Sequence, residues 1–219
     1  MRKILIFALS FMLLAGCGKK SDRKEPSSTT STSEAQDQQL LAEASDILIQ
    51  TFSNDLRSEL LAALNEGGPA NAITVCEIRA PEIAAAHSGE FWTVRRVTDR
   101  SRNPENAASD AEKGLLARFR DTAQSPPEYI IGWAPSEEGK TYRHYRPIRV
   151  AQLCLKCHGR PDDIDDAAEA VLAEKYPSDR AIGYAEGDLR GMFVVELHWP
   201  EGKAFVDSLV AASKETEIK

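Results

Sequence analysis
The chain has 219 residues, 42% of them hydrophobic, enough for one domain with a sizeable core in addition to a targeting segment. Acidic residues outnumber basic ones 34 to 27, for a net charge of −7. That balance argues against nucleic acid or anionic lipid headgroups as partners and favours a redox partner protein with a basic surface, although acidity also serves plain solubility.

Arg2 and Lys3 form a short basic region, Ile4 to Leu14 is apolar, and Leu14-Ala15-Gly16-Cys17 follows. This layout reads as a signal peptide over residues 1–16, too short to span a bilayer. Small residues ahead of a cysteine match a bacterial lipobox, in which Cys17 is lipidated; the competing reading is an ordinary signal with an incidental cysteine. Lipid on Cys17 would tie the protein to a membrane through its N-terminus alone, in the cell envelope facing the periplasm. Losing the two cations Arg2 and Lys3 takes the net charge from −7 to −9. Residues 17–36 are rich in Ser, Thr and charge and read as a flexible tether, which leaves 37–219 as the domain.

From Gln38 to Asn65, apolar residues recur at Leu41, Ala44, Leu48, Phe52, Leu56, Leu60 and Leu64, the spacing of one long amphipathic helix. Gly67, Gly68 and Pro69 stop it. A second helical pattern carries Ile73, Cys76, Ala80, Ile83 and His87, with a break expected near Ala80 because Pro81 removes a donor and crowds the preceding turn. Phe91 to Val97 reads as a strand, and Glu105 to Phe119 as a short helix. Tyr129 to Trp133, Thr141 to Ile148 and Met192 to Trp199 are further strands. In the last, Phe193, Val195, Leu197 and Trp199 alternate onto one face, with Met192, Val194, Glu196 and His198 on the other. Helices from about Asp165 to Tyr176 and from Pro200 to Lys214 complete the order. Helices first, then strands with helical insertions, predict an α+β domain with a small antiparallel sheet; an all-helical cytochrome is the competing architecture.

The most specific stretch is Cys154-Leu155-Lys156-Cys157-His158-Gly159. Cys-x-x-Cys-His is the attachment signature of c-type haem: Cys154 and Cys157 are spaced to form thioethers with the two porphyrin vinyls, and His158 faces the iron as axial ligand. A zinc half-site would need a second ligand pair that the chain lacks, and a Cys154–Cys157 disulfide leaves His158 without a role. The pattern predicts one covalently held haem c.

A second axial ligand has several candidates. Cys76 is left over once Cys17, Cys154 and Cys157 are assigned, and it lies on the apolar stripe of a helix; it could equally be a small buried hydrophobe. Met192 is the one methionine outside the signal, and His87 lies beyond Pro81, about three turns from Cys76. His144 sits in a polar, Arg-rich strand and His198 near a strand end, and an open position is a further alternative. Arg95, Arg96, Arg102, Arg143, Arg146, Arg149 and Arg190 crowd the regions around the motif. Haem propionates need bidentate cations of this kind, and Tyr145 and Arg146, just before the motif, are the preferred contacts.

The segments Arg102-Asn103-Pro104-Glu105-Asn106, Tyr145-Arg146-Pro147-Ile148, Cys154 to Gly159, Tyr176-Pro177-Ser178-Asp179 and Gly187-Asp188-Leu189-Arg190-Gly191 resemble the bacterial family of exported single-haem "Tll-like" domains, from about residue 40 to 200. The resemblance implies a PAS-like fold with haem c held by the Cys-x-x-Cys-His motif. It also implies a cysteine on the early helix opposite the motif histidine, a role that falls on Cys76. These readings together predict an envelope-anchored mono-haem cytochrome acting in electron transfer or redox sensing, with no catalytic residue. The alternatives are a gas-sensing haem module signalling to a partner protein and, behind it, a peroxidase.

Overall fold
The structure, a computed structural model, describes residues 28–121, 125–137 and 139–217. The expected signal peptide and Cys17 lie outside them. The long helix α1 (Ser28–Ala86) is two helices joined at a kink, where Gly67 (φ −150°, ψ 21°) and Gly68 (φ 70°, ψ −167°) leave helical geometry. Positive φ at Gly68 is where the missing Cβ matters, and Pro69 then opens the second arm with its φ already helical.

The two arms fold back as a hairpin. Asn71 Nδ2 donates to the Ala63 carbonyl at 3.0 Å, Arg79 Nε meets Glu59 at 3.0 Å, and His87 Nε2 meets Asp55 at 2.8 Å. The expected break near Ala80 does not occur, since helical geometry continues through Pro81 to Ala86. Pro81 is exposed, so the carbonyl it leaves without a donor faces water, while Ile73 and Ile83 are buried on either side and hold the arm down. At the other end α1 runs back to Ser28, into the stretch read as tether. Extending an anchored helix adds one hydrogen bond per residue fixed, and residues 33–36 do so while exposed.

The remaining elements are β1 (Trp92–Val97), α2 (Asp110–Arg120), β2 (Ile130–Pro135), β3 (Lys140–Arg149), α3 (Leu155–His158), α4 (Asp166–Lys175), β4 (Leu189–Trp199) and α5 (Lys203–Glu217). The helix expected from Glu105 begins later. A 3-10 turn at Pro104–Asn106 ends in extended Ala107, and Ser109 then caps α2 with Glu112 reaching back to it. Four strands form one antiparallel sheet in the order β1-β4-β3-β2, the α+β architecture expected.

The alternation in β4 divides the core in two. Val195, Leu197 and Trp199 face Leu41, Ala44, Leu48 and Phe52 of α1 and Val206 and Val210 of α5. Met192 and Val194 face the other way, against Val97, Leu116, Phe119 and Ile130. On the α1 side, Phe52 meets Phe193 edge-on with centroids 6.0 Å apart, and Trp92 stacks flat on Phe205. No helix among the described residues is long and apolar enough to cross a membrane.

Candidate functional site
β3 feeds the Cys-x-x-Cys-His motif directly. Val150 exchanges backbone hydrogen bonds with the loop before β4, donating to Asp188 at 2.9 Å and accepting from Gly187 at 2.8 Å. The chain then makes a 3-10 turn ending at Cys154 and the one-turn helix α3, which carries Cys157 and His158. Cys154 packs on the small cluster of Val150, Ala181 and Tyr184, and Cys157 on that of Ile73, Ile164, Ala168 and Leu172. The two thiols are therefore held by different apolar clusters.

Two loops strap the motif down. Gly183 N donates to the Gly159 carbonyl at 2.6 Å and Tyr184 N to the His158 carbonyl at 3.0 Å. Arg102 donates to the Cys157 carbonyl and pairs with Asp179 at 2.9 Å. Asp179 Oδ1 in turn accepts from Ala181 N at 2.8 Å. Arg100 donates to the carbonyls of Arg180 and Ile182 and lies 4.1 Å above the Tyr184 ring.

The imidazole is oriented by a backbone atom: His158 Nδ1 donates to the Ala181 carbonyl at 2.6 Å. Burial first, then the Arg190 and Arg102 cations, hold the ring well below the usual histidine range, with the Ala181 bond acting against them and Arg96 adding to them. A neutral ring whose Nδ1–H is committed presents its Nε2 lone pair outward, the arrangement of a metal-binding histidine with its outer partner in place.

The second arm of α1 lies against this site. Ile73, one turn before Cys76, is buried among α4 side chains with Cys157 packed on the same group. Burial raises the Cys76 thiol; Arg96 lowers it, Glu59 raises it and Arg102 lowers it. Burial also raises the Cys157 thiol, which Arg102 lowers and Cys76 raises further, so the two sulfurs are within electrostatic reach of each other. Cys76, Cys154 and Cys157 are free thiols. Among the described residues, no group of three or more His, Cys, Asp and Glu side chains forms a cage for a bare metal ion. Two thiols and an oriented imidazole within five consecutive residues, with a third thiol on a helix packed against them, form a set able to hold an iron porphyrin.

Other candidate ligands are placed elsewhere. Met192 is fully buried on the sheet face away from α1, His87 bonds Asp55, and His198 is exposed. His144 is fully buried, stacked on Tyr129 and 3.5 Å from Asp46. Arg146 pairs with Asp46 and Glu128, and Tyr145 packs into the second core cluster; no hydrogen bond or ion pair among the described residues joins either to the motif. The expectation missed the Ala181 carbonyl, Arg100 and Tyr184. Ala181 acts through its backbone and leaves no side-chain signal, whereas Tyr184 could have been found as the lone aromatic in a small-residue loop. A cleft of about 640 Å³ lined by Asp99, Arg100, Lys113, Arg120, Arg180, Tyr184, Asp188 and Leu189 shares Arg100 and Tyr184 with the site but includes none of the motif residues.

The family model described as Tll0287-like matches residues 27–197. Among solved structures, the chain is similar to the crystal structure of the cyanobacterial haem protein Tll0287, at 31% identity and a TM-score of 0.46, over 69% of this chain and 92% of that one. No match is found among curated proteins.

Proposed function
We propose a function from one premise: the chain belongs to the Tll0287-like family. It is a mono-haem c protein of the cell envelope that carries electrons or reports redox poise, anchored through lipid on Cys17, with residues 37–219 as the haem-binding domain. Cys154 and Cys157 would each hold the porphyrin by a thioether, the S–H adding across a vinyl group with sulfur to one carbon and hydrogen to the other, so that nothing would leave. His158 Nε2 and the Cys76 thiol would bind the iron. Bound in this way, haem supplies a one-electron couple, and a thiolate ligand favours the ferric state and lowers the potential.

The observation that carries this reading is the His158 ring, bonded through Nδ1 to the Ala181 carbonyl on the same short helix as Cys157. A histidine serving only as core would have no need of a neutral ring with Nε2 left free next to a Cys-x-x-Cys pair. The acidic surface suits a donor or acceptor with a basic face.

The test is maturation in a host with cytochrome assembly machinery. Pigment retained through acid acetone, and lost on replacing Cys154 and Cys157 with Ala, is the expected result; colourless protein or extractable pigment overturns the reading. In the ferric protein, Cys76→Ala is expected to abolish a low-spin thiolate electron paramagnetic resonance signal and raise the potential. An unchanged spectrum removes Cys76 from the iron.

A further inference from the structure
The arginines near the motif divide by partner. Arg95 pairs with Glu112 at 2.6 Å, Arg143 with Glu196 at 2.7 Å, Arg146 with Asp46 and Glu128, and Arg102 with Asp179, while Arg149 donates to the Phe119 carbonyl. Arg96 and Arg190 are different. Neither has a carboxylate within ion-pair distance among the described residues. Burial lowers both guanidinium groups; Arg190 lowers Arg96 further, while Tyr184 raises Arg190, Arg102 lowers it and Asp179 raises it.

Arg96 projects from β1 toward Phe52 of α1, 6.0 Å from its ring, with Cys76 the group that favours its charge. Arg190 Nη1 donates to the Thr98 hydroxyl at 3.2 Å and to the Arg100 carbonyl at 3.3 Å, and its guanidinium stands 5.5 Å from the Tyr184 ring. Tyr184 is 3% exposed and meets His158 edge-on at 6.4 Å, yet its Oη has no partner in hydrogen-bond geometry. Two half-buried cations without an ion-paired carboxylate, and a buried phenol without a partner in hydrogen-bond geometry, therefore stand near the motif histidine. Such groups are rarely left unpaired, and Arg geometry suits a carboxylate bidentately.

We propose that Arg96 and Arg190, with Tyr184 Oη donating a hydrogen bond, form the clamp for the haem propionates, in place of Tyr145 and Arg146. The clamp rests on the haem c reading above. Arg102, already neutralised by Asp179, and Arg100, committed to two carbonyls, border the clamp without closing it. Arg96 is within electrostatic reach of Cys76, and both cations are within reach of His158, so propionates held there would couple their ionisation to the iron potential.

The test follows the midpoint potential of the holoprotein from pH 5 to 9. Removing a guanidinium partner moves a carboxyl group's ionisation by about 1–3 pH units. Arg96→Gln and Arg190→Gln are each expected to move the pH-linked inflection of the potential upward by about that much. Tyr184→Phe is expected to move it less in the same direction, and Arg190→Lys to recover part of the loss. Arg143→Gln, whose partner is Glu196, leaves the inflection in place. Should Arg96→Gln fail to fold, the nearly isosteric Tyr184→Phe carries the test. An unmoved inflection in all three variants with haem retained, or a larger shift in Arg146→Gln, overturns the clamp and leaves the haem reading standing. Colourless wild-type protein overturns both. Inorganic phosphate distinguishes the source of the anion: a saturable shift of the wild-type potential would mean that a free anion occupies these cations and would overturn the assignment to propionates, whereas no shift supports it.

Discussion

Gly159→Ala tests how tightly the motif is fastened. A Cβ at position 159 would stand 2.6 Å from the Leu155 carbonyl oxygen and 3.0 Å from Asp163 Cβ. The glycine φ is −67°, so the obstacle is contact and not backbone strain. An ordinary carbon–oxygen contact needs about 3.5 Å, so backbone must move by close to 1 Å. That movement falls on Gly159 N to Leu155 O at 2.9 Å, Gly183 N to Gly159 O at 2.6 Å, and Tyr184 N to His158 O at 3.0 Å. Two or three such bonds at about 1 kcal/mol each amount to about 2–3 kcal/mol, and with it the His158 bond to Ala181 is disturbed. For a domain of this size the melting temperature should fall by about 4–12 °C, followed by circular dichroism, with less covalent haem per protein by pyridine haemochrome. Gly114 in α2, with nothing within 4 Å of its added Cβ, is the matched control: Gly114→Ala should stabilise by about 0.5–1 kcal/mol. A Gly159→Ala protein that melts with wild type and carries full haem would refute the strap geometry.

Further expectations concern buried titratable groups. His144 is lowered to about 4, first by burial, with Asp46 raising it and Arg146 lowering it. A histidine kept neutral in the fold is protonated first in the unfolded chain, so stability should fall as the pH drops from about 6.5 toward 4, by up to about 3 kcal/mol. Urea melts at pH 7 and 5 should show this difference in wild type and much less of it in His144→Asn; equal differences would sink the assignment. Glu112 is desolvated, which raises it, but the Ser109 backbone and hydroxyl bonds and Arg95 outweigh burial and hold it below its ordinary value. Its contribution is present above about pH 4.5 and is lost as the pH falls through the folded value. Glu112→Ala should cost about 1–3 kcal/mol at neutral pH and progressively less as the pH falls below 4.5, measured by the same melts.

How far the site was legible follows from the kind of signal each residue leaves. Cys154, Cys157 and His158 stand in one local spacing set by porphyrin chemistry, so they could be named from the chain alone. Cys76 could be placed only on a helix face, because its neighbours Arg96, Cys157 and Arg102 come from other elements. Arg146 was preferred for its closeness to the motif in sequence, yet its carboxylate Asp46 stands a hundred positions earlier, on α1. Pro81 was read as a break by local sterics alone, whereas the packing of Ile73 and Ile83 overrides one missing hydrogen bond.

The amino-acid sequence by itself determined the helical periodicity of α1, its stop at Gly67-Gly68-Pro69, the face alternation of β4 and the Cys-x-x-Cys-His spacing, all of which depend on interactions within a few residues. Tertiary structure alone decided which arginines keep a carboxylate and which are left without one, that the Ala181 carbonyl orients His158, and that α1 returns on itself to bring Cys76 beside the motif. Charge pairing and desolvation are properties of neighbours in space, and a chain acquires those neighbours only when it folds.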